Sequence, residues 1–306
     1  MTIQRGDGKD ASQMQTKIAY ALVSSGDDIY AAMLLVSLHT LRVRNPQAEV
    51  LVVMDETTHQ RLEELHSPIL SDATPVVVSI PPEYGKVQRS RYLKTTMRER
   101  VQGDFLFLDG DTLVSDSLAD IDDVKADIAM VTDLNRPIEM GRIEYGIKMA
   151  KKAGLFVEGT EKEPYFNSGV MFVRDTKLAH DFFRKWHETW KWSSGNGVHL
   201  DQPPLCETNR TMGHPIQELS GIWNCQYRFL NYRYYEPYAK KAKILHYYTT
   251  FGLGAFLSVL VNRVHAKGRV DAIAAAIARW PRLFVRVHKI SKAVRRLLPG
   301  KRESAG

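Results

Sequence analysis

Cysteine is almost missing: Cys206 and Cys225 are two thiols in 306 residues, without metal-ligand spacing. Nothing in the sequence asks for a bridge between them, and a reducing cytoplasm is the simplest home. Long apolar runs are missing too. The longest, Leu253 to Val261, is about half of the roughly 20 residues that span a bilayer. Met1 to Lys17 is polar and lacks the apolar core of a signal peptide, so 1–17 is expected to be a disordered N-terminal segment. Acidic residues are scarce in one place only. After residue 252 there are 12 Lys and Arg against Asp271 and Glu303, whereas the remainder carries 30 basic and 33 acidic residues. The net charge of +7 therefore sits in an appendage, and the body is near neutral. That tail lacks interleaved aromatic residues of the single-strand-binding type and any major-groove motif, so a nucleic-acid partner is not expected.

What is present is ordinary globular composition, 44% hydrophobic and 25% charged, enough for one large α/β domain with an addition and no internal repeat. Ile18 to Val23, Val50 to Met54 and Val76 to Ile80 read as strands. Tyr30 to Leu41 and Ser90 to Val101 read as helices between them, the latter with Arg91 and Lys94 on its polar side. Such alternation predicts a mostly parallel sheet with helices on both faces. The second half adds strands at Ile128 to Thr132 and Gly169 to Val173, longer helices and aromatic-rich irregular stretches.

The most informative segment is Phe105-Leu106-Phe107-Leu108-Asp109-Gly110-Asp111-Thr112-Leu113-Val114. Its apolar run reads as a buried parallel strand, which places Asp109 and Asp111 where the strand emerges. Ligands of open α/β sheets bind outside the carboxyl ends of strands. Two carboxylates on one short turn, with no basic residue beside them in sequence, call for a cation. Hard oxygen ligands suit Mg²⁺ or Mn²⁺ shared with phosphate, hence a diphosphate and a nucleotide-sugar site. Asp-Gly is also a common turn with no further meaning. A phosphatase-type motif fits poorly, because Leu113 stands where that motif places Thr or Val.

Several segments in order resemble the GT-A fold retaining glycosyltransferases of family 8, the group of glycogenin and the bacterial lipopolysaccharide galactosyl- and glucosyltransferases. Leu22 to Tyr30 is similar to the family's nucleoside-binding start, and Arg91-Tyr92-Leu93-Lys94 to its basic helix. Asp109-Gly110-Asp111 matches its Asp-x-Asp, and Tyr165-Phe166-Asn167-Ser168-Gly169-Val170-Met171 its Phe-Asn-Ser/Ala-Gly-Val strand. Leu200-Asp201-Gln202 matches the Asp-Gln pair. Leu219 to Asn224 resembles Leu-Pro-x-x-Trp/Tyr-Asn with Ser220 in place of Pro, and Ile244-Leu245-His246-Tyr247 the final His strand. Asn167 to Trp190 followed by Asp201-Gln202-Pro203 is similar to the neighbouring family 77 as well. Family 8 enzymes often follow the His with Gly-x-x-Lys-Pro-Trp, whose Lys contacts diphosphate. Here Thr249-Thr250-Phe251-Gly252 follows and no Lys appears.

The resemblance implies a GT-A catalytic domain over 18–252, with a Rossmann-like, mixed but mostly parallel sheet, and a basic helical tail over 253–306. It implies Asp109, Asp111 and His246 as ligands of Mn²⁺ or Mg²⁺, although a His beside a Tyr is more often a hydrogen-bonded core residue. Arg91 and Lys94 would neutralise the diphosphate, a guanidinium gripping phosphate bidentately. Ser24, Asp28, Tyr30, Gly110 and Ser168 join the nucleotide-sugar-binding set. Asn167, Asp201 and Asp133 have the chemistry to hydrogen-bond sugar hydroxyls, although Asn167 also suits a turn and Asp133 a helix cap. Gln202 beneath the anomeric carbon could stabilise positive charge there. The implied activity moves a hexose, with retention, from a UDP-sugar to a glycan or glycolipid acceptor in surface glycan or lipopolysaccharide synthesis. The alternative is a non-catalytic GT-A-like module that holds a nucleotide or glycan. Tyr232 to Tyr238 are better placed to stack on acceptor sugars than Trp186 and Trp190, whose helical spacing suits packing.

In the tail, Val270, Ile273, Ile277 and Trp280 recur at helical spacing, Pro281 interrupts, and Leu283, Val287, Ile290, Val294 and Leu297 continue. Arg282, Arg286, Lys289 and Arg296 occupy other positions. An apolar stripe with a cationic face suits the plane of an anionic membrane, which would make the protein peripheral on the inner face of the cell membrane. The other reading packs the stripe on the catalytic body.

Overall fold

The computed structural model describes residues 14–227, 232–247 and 255–282, with the side chains of 232 and 255–257 left out. In chain order the strands are β1 (Lys17–Leu22), β2 (Val50–Asp55), β3 (Thr74–Val78), β4 (Phe105–Leu108), β5 (Thr112–Val114), β6 (Ile128–Thr132), β7 (Phe166–Val173), β8 (Ile216–Glu218), β9 (Cys225–Gln226) and β10 (Ile244–His246). The helices of the first half are α1 (Ile29–Arg44), α2 (Glu56–Glu64), α3 (Ile69–Asp72), α4 (Lys86–Thr95) and α5 (Met97–Arg100). Those of the second are α6 (Glu144–Lys152), α7 (Lys177–Gly195), α8 (Gln202–Thr211), α9 (Tyr232–Ala239), α10 (Ala255–Lys267) and α11 (Ala272–Ala278).

A seven-stranded sheet runs in the order β3-β2-β1-β4-β7-β6-β8, and β5-β10-β9 form a second, smaller sheet. Only β7 opposes its neighbours, antiparallel to both β4 and β6; the other pairings of the large sheet are parallel. The expected mixed, mostly parallel α/β fold is therefore present. β4 shows why its sequence is continuously apolar. Leu106 and Leu108 enter one core and Phe105 and Phe107 the other, since successive side chains leave opposite faces of a strand covered on both sides. Pro75 lies in β3, at the sheet edge, where a missing N–H costs no ladder bond.

Three expectations are corrected in detail. The helix expected over Ser90 to Val101 starts at Lys86 and breaks at Thr96, whose hydroxyl bonds back to the Tyr92 carbonyl at 2.8 Å. Lys94 does not lie on a solvated polar side; it is 3% exposed. The strand expected from Gly169 begins at Phe166, so Asn167 and Ser168 are strand residues rather than a turn.

The first part of the tail is built into the body. α10 and α11 lie against α1, and Leu260, Val261, Val264, Ala274 and Ala278 are buried in the same core as β1 and α1. Val270 and Ile277 pack against that core, whereas Ile273 and Trp280 are exposed. Arg282 donates to Asp116 at 2.5 Å and to the Ala242 carbonyl at 2.9 Å. The second segment of the expected stripe, from Leu283 to Leu297 with Arg286, Lys289 and Arg296, lies outside the described residues. Among the described residues no helix is long and apolar enough to cross a membrane.

Candidate active site

The site lies at the carboxyl ends of β1 and β4, where β5, β7 and β10 meet them. β4 ends at Leu108, and the turn Asp109-Gly110-Asp111 is pinned from three sides. The Asp109 N–H donates to the Gly169 carbonyl at 2.8 Å, the Thr112 hydroxyl to the Asp109 carbonyl at 2.8 Å, and the Tyr247 N–H to the Asp111 carbonyl at 3.2 Å. Gly110 lies against the α1 backbone at Leu34. Because β10 pairs antiparallel with β5, with His246 opposite Thr112, a residue 135 positions away is carried to the same turn. His246 Nε2 is 3.3 Å from an Asp111 oxygen. One ligand atom from each of Asp109, Asp111 and His246 falls within 4.8 Å of the others.

This donor set fits a hard divalent cation: two carboxylates and one imidazole from rigid elements, with room for oxygens of a substrate. His246 Nδ1 faces the Asn224 Oδ1 at 3.1 Å, which as donor at Nδ1 leaves Nε2 to face the carboxylates. The ring also approaches Gly169 closely. A Cβ there would come within 2.2 Å of His246 Cε1 and 2.7 Å of Nδ1. Among the described residues the Tyr247 hydroxyl, buried next to Asp111, has no hydrogen-bond partner. Burial opposes charge on both Asp111 and His246, yet each sustains the other, the carboxyl being held low and the imidazole raised.

A second cluster surrounds Lys94. Its ammonium lies 3.0 Å from Asp109, 3.2 Å from Asp201 and 3.3 Å from the Ser168 hydroxyl, with the Phe107 ring beneath it. Arg91 Nε is 3.1 Å from the other Asp201 oxygen, and the Ser168 hydroxyl donates to Asp201 at 2.6 Å. Burial works to raise the Asp201 pKa, but Lys94, Arg91 and Ser168 together hold it well below the carboxylate range. Asp201 raises the Arg91 pKa in turn, with Asp109 and Asp111 adding to it. Asp201 was expected among the groups that bond sugar hydroxyls; in the structure its oxygens meet two cations and a serine. The carboxylates that looked alone in sequence thus have a lysine beside them.

A third cluster is made of amides. Gln202 Nε2 donates to Asp133 at 3.0 Å and to the Phe166 carbonyl at 3.2 Å. Asn167 Nδ2 donates to the same Asp133 oxygen at 3.0 Å, and Asn167 Oδ1 accepts from Asn224 Nδ2 at 2.9 Å. A continuous chain therefore runs Gln202–Asp133–Asn167–Asn224–His246. With both amide protons of Gln202 engaged, the capacity left to that side chain is its carbonyl oxygen. Asn224, Gly169 and Gln226 had no role assigned from sequence. Asn224 and Gly169 fall inside matched motifs, but only the contacts show that they seat His246.

The residues expected on the nucleoside side are assembled at the end of β1. Ser24 donates to Asp28 at 2.6 Å, and Asp28 caps α1 by accepting from the N–H groups of Tyr30 and Ala31. Lys86 pairs with Asp28 at 2.5 Å and lies over the Tyr30 ring. Tyr30 is exposed and is an electrostatic neighbour of Arg91. Trp186 and Trp190 are fully buried, as their spacing implied.

The fold is shared with solved glycosyltransferases and is of the GT-A type. The structure resembles the apo form of WbbM, a bifunctional glycosyltransferase, with TM-score 0.52 and 15% identity over 78% of this chain and 46% of that one. It resembles apo mouse xyloside xylosyltransferase 1 with TM-score 0.50 and 13% identity, over 76% of this chain and 97% of that one. It also resembles GlyE of Streptococcus pneumoniae TIGR4 with TM-score 0.50 and 16% identity, over 92% of this chain and 65% of that one. At such identities the likeness shows the fold, and the chain spans about half the length of the first. No curated protein matches the sequence. The sequence model of glycosyl transferase family 8 matches residues 87–251, which hold every residue of the three clusters. The chain belongs to glycosyl transferase family 8.

Proposed function

We propose that this protein is a metal-dependent, retaining hexosyltransferase that uses a UDP-sugar and an acceptor hydroxyl on a surface glycan or lipopolysaccharide. The observation that carries the reading is the continuous chain from Gln202 to His246, which ties the metal-ligand turn to a group suited to the anomeric carbon. Asp109, Asp111 and His246 would hold Mn²⁺ or Mg²⁺, whose contribution is Lewis-acid neutralisation of the leaving diphosphate. Arg91 and Lys94 supply the remaining positive charge, which suits a family member without the C-terminal Lys. The Gln202 carbonyl oxygen stabilises the oxocarbenium-like centre as the carbon–oxygen bond to phosphate breaks. The acceptor oxygen then attacks from the face the phosphate has left, and that phosphate takes its proton.

The test is UDP release from a panel of UDP-sugars with Mn²⁺, with EDTA and with Ca²⁺, repeated with Asp111→Asn. Release that is lost in EDTA, restored better by Mn²⁺ than by Ca²⁺, and lowered by orders of magnitude in Asp111→Asn supports the reading. Full activity in chelator refutes the metal. Binding of a UDP-sugar without turnover of any donor turns the protein into a holding module. Proton NMR of the product's anomeric centre decides retention, a β-linked product from an α-linked donor being the contrary result.

We propose further that the basic C-terminal region docks on an anionic membrane and brings the site to a lipid-linked acceptor. Its inner face is committed to the body through α10 and α11, which leaves Val259, Ile273 and Trp280 on the outside. Co-sedimentation of the full chain with phosphatidylserine vesicles at low salt, against Ile273→Ser/Trp280→Ser, tests this. Both proteins staying in the supernatant refutes it.

A further inference from the structure

Beside the amide cluster there is a pocket of about 330 Å³, lined in part by Tyr234 and Tyr238 of the stretch expected to stack on acceptor sugars. Its lining includes Thr132, which precedes the short segment Asp133–Asn135, and Asn135, which ends it. The chain bends there at a cost. Leu134 and Asn135 both adopt left-handed backbone, with φ of 60° and 53°. Neither is glycine, and each such residue costs roughly 1–3 kcal/mol, a strain kept where surroundings impose it. The bend is held by the Leu134 N–H on Gln226 Oε1 at 2.5 Å, by Asn135 Nδ2 on the Asn224 carbonyl at 2.9 Å, and by the Gln226 N–H on Asn135 Oδ1 at 2.7 Å. Its effect is to turn Asp133 toward Gln202 while Asn135 to Glu139 pass along the pocket.

The walls carry a particular chemistry. Glu139 and Glu218 line the pocket together with Arg136 and Arg233, two carboxylates and two guanidiniums with no net charge. Tyr234 and Tyr238 of α9 supply aromatic surface. Tyr238 is seated on Gly221, where a Cβ would come within 2.5 Å of its ring carbons, and the Arg233 guanidinium lies 4.5 Å from the Tyr234 ring centroid. Burial, reinforced by Glu139, raises the Glu218 pKa, and the Thr132 hydroxyl reaches one Glu218 oxygen at a long 3.5 Å.

We infer that this pocket is the subsite for the acceptor, and that the acceptor presents a neutral sugar ring there. The inference rests on the glycosyl-transfer reading and extends it to the substrate class. Adjacent ring hydroxyls suit a carboxylate pair, the apolar face of a sugar suits a fixed tyrosine ring, and the volume lies at the small end for ligand pockets. Zero net charge separates the acceptor classes. For a phosphorylated acceptor the pull of Arg136 and Arg233 is offset by Glu139 and Glu218, and for an amino sugar the pull of the two acids is offset by the two guanidiniums. The pocket therefore offers a charged acceptor no net electrostatic gain over a neutral ring to repay its desolvation.

The experiment uses the full chain with Mn²⁺ and measures transfer to methyl hexosides, to methyl glucosaminide and to glucose 1-phosphate, each relative to donor hydrolysis. Neutral methyl hexosides are expected to be the preferred acceptors. Glu218→Gln and Tyr238→Ala should each lower the transfer-to-hydrolysis ratio, chiefly through acceptor KM, by roughly tenfold or more. Gly221→Ala should act in the same direction by displacing Tyr238 without removing it. Preference for the amine or the phosphate, or an acceptor KM that none of these variants moves, overturns the inference. Saturation-transfer NMR with the methyl hexosides separates the two readings. Binding that Tyr238→Ala abolishes, in a protein that turns over no donor, keeps the subsite and rejects the transferase. Wild-type donor turnover with no saturation transfer to any methyl hexoside keeps the transferase and rejects the subsite.

Discussion

Asn167 and Ser168 are neighbours in β7, and their side chains leave opposite faces of the strand. On the Ser168 side lie full charges: Lys94, Arg91, Asp201 and Asp109. On the Asn167 side lie amides, Asn224 and Gln202, with Asp133 and the His246 ring. On the charged side Lys94 is a point charge without preferred orientation, and direction there falls to the Arg91 guanidinium alone. The amide side carries less charge and fixes direction, each group having donors and acceptors at set angles. A transferase needs both, and one strand separates them. The two sides should consequently fail differently.

The largest effect is expected on the charged side. Lys94→Met leaves buried Asp201 and half-buried Asp109 without their ammonium, which should cost about 3–5 kcal/mol of stability and most of the activity. Denaturant unfolding checks it, and an unfolding midpoint equal to wild type would erase the contrast between the sides. Next comes Asn167→Leu, which removes a donor to Asp133 and an acceptor for Asn224 and the Gly169 N–H. Here turnover should fall by about tenfold to a hundredfold with a stability loss of about 1–3 kcal/mol. Turnover and unfolding measured on one preparation give both numbers, and a loss as large as that of Lys94→Met would contradict the division of labour. Asn224→Ala is narrower. It should weaken Mn²⁺ binding by about 10–100-fold through loss of His246 orientation, as read by calorimetric titration. Unchanged Mn²⁺ affinity would mean that Gly169 alone seats the ring.

The smallest effect is expected far from the cleft. Arg282→Ala removes an exposed pair with Asp116 and should change stability by no more than about 1 kcal/mol. The related Arg263–Asp271 pair has a pH signature. The Arg263 hydrogen bond, helped by the Ala274 N–H, draws Asp271 down to about 2. A depressed carboxyl contributes above its unfolded pKa near 4 and loses that contribution as pH falls toward about 2. The α10–α11 pair should therefore loosen in acid between those limits, and Asp271→Asn should flatten that part of the pH profile. Circular dichroism of the full chain against pH, for both proteins, reads this.

Some of this was legible because it is local. The buried strand Phe105 to Leu108, the turn that follows it and the alternation of strands and helices are periodicity and turn chemistry, which a short window of sequence contains. The order of motifs from Arg91 to His246 was legible as a family resemblance, and it named the residues that the fold brings together. The break at Thr96 was not legible, because it is a local departure of the backbone, φ −98° and ψ 7°, inside a stretch whose residues read as one helix. Nor was the burial of Lys94, since its window reads as a polar helix face and the carboxylates that receive it come from residues 15 and 107 positions away.

By itself the sequence determined the sheet, the carboxylate pair at the end of its central strand and the uneven placement of charge, all set by the spacing of apolar and ionisable residues along the chain. Only the tertiary structure decided which charges meet. It put Lys94 between Asp109 and Asp201, laid His246 on Gly169 and passed one line of hydrogen bonds from Gln202 to that ring. It also committed the first part of the basic tail to the core over α1. The physical reason is common to all four. Each depends on contact distances between residues remote in sequence, where a few ångströms decide whether a buried charge or amide is satisfied, and spacing along the chain carries no information at that scale.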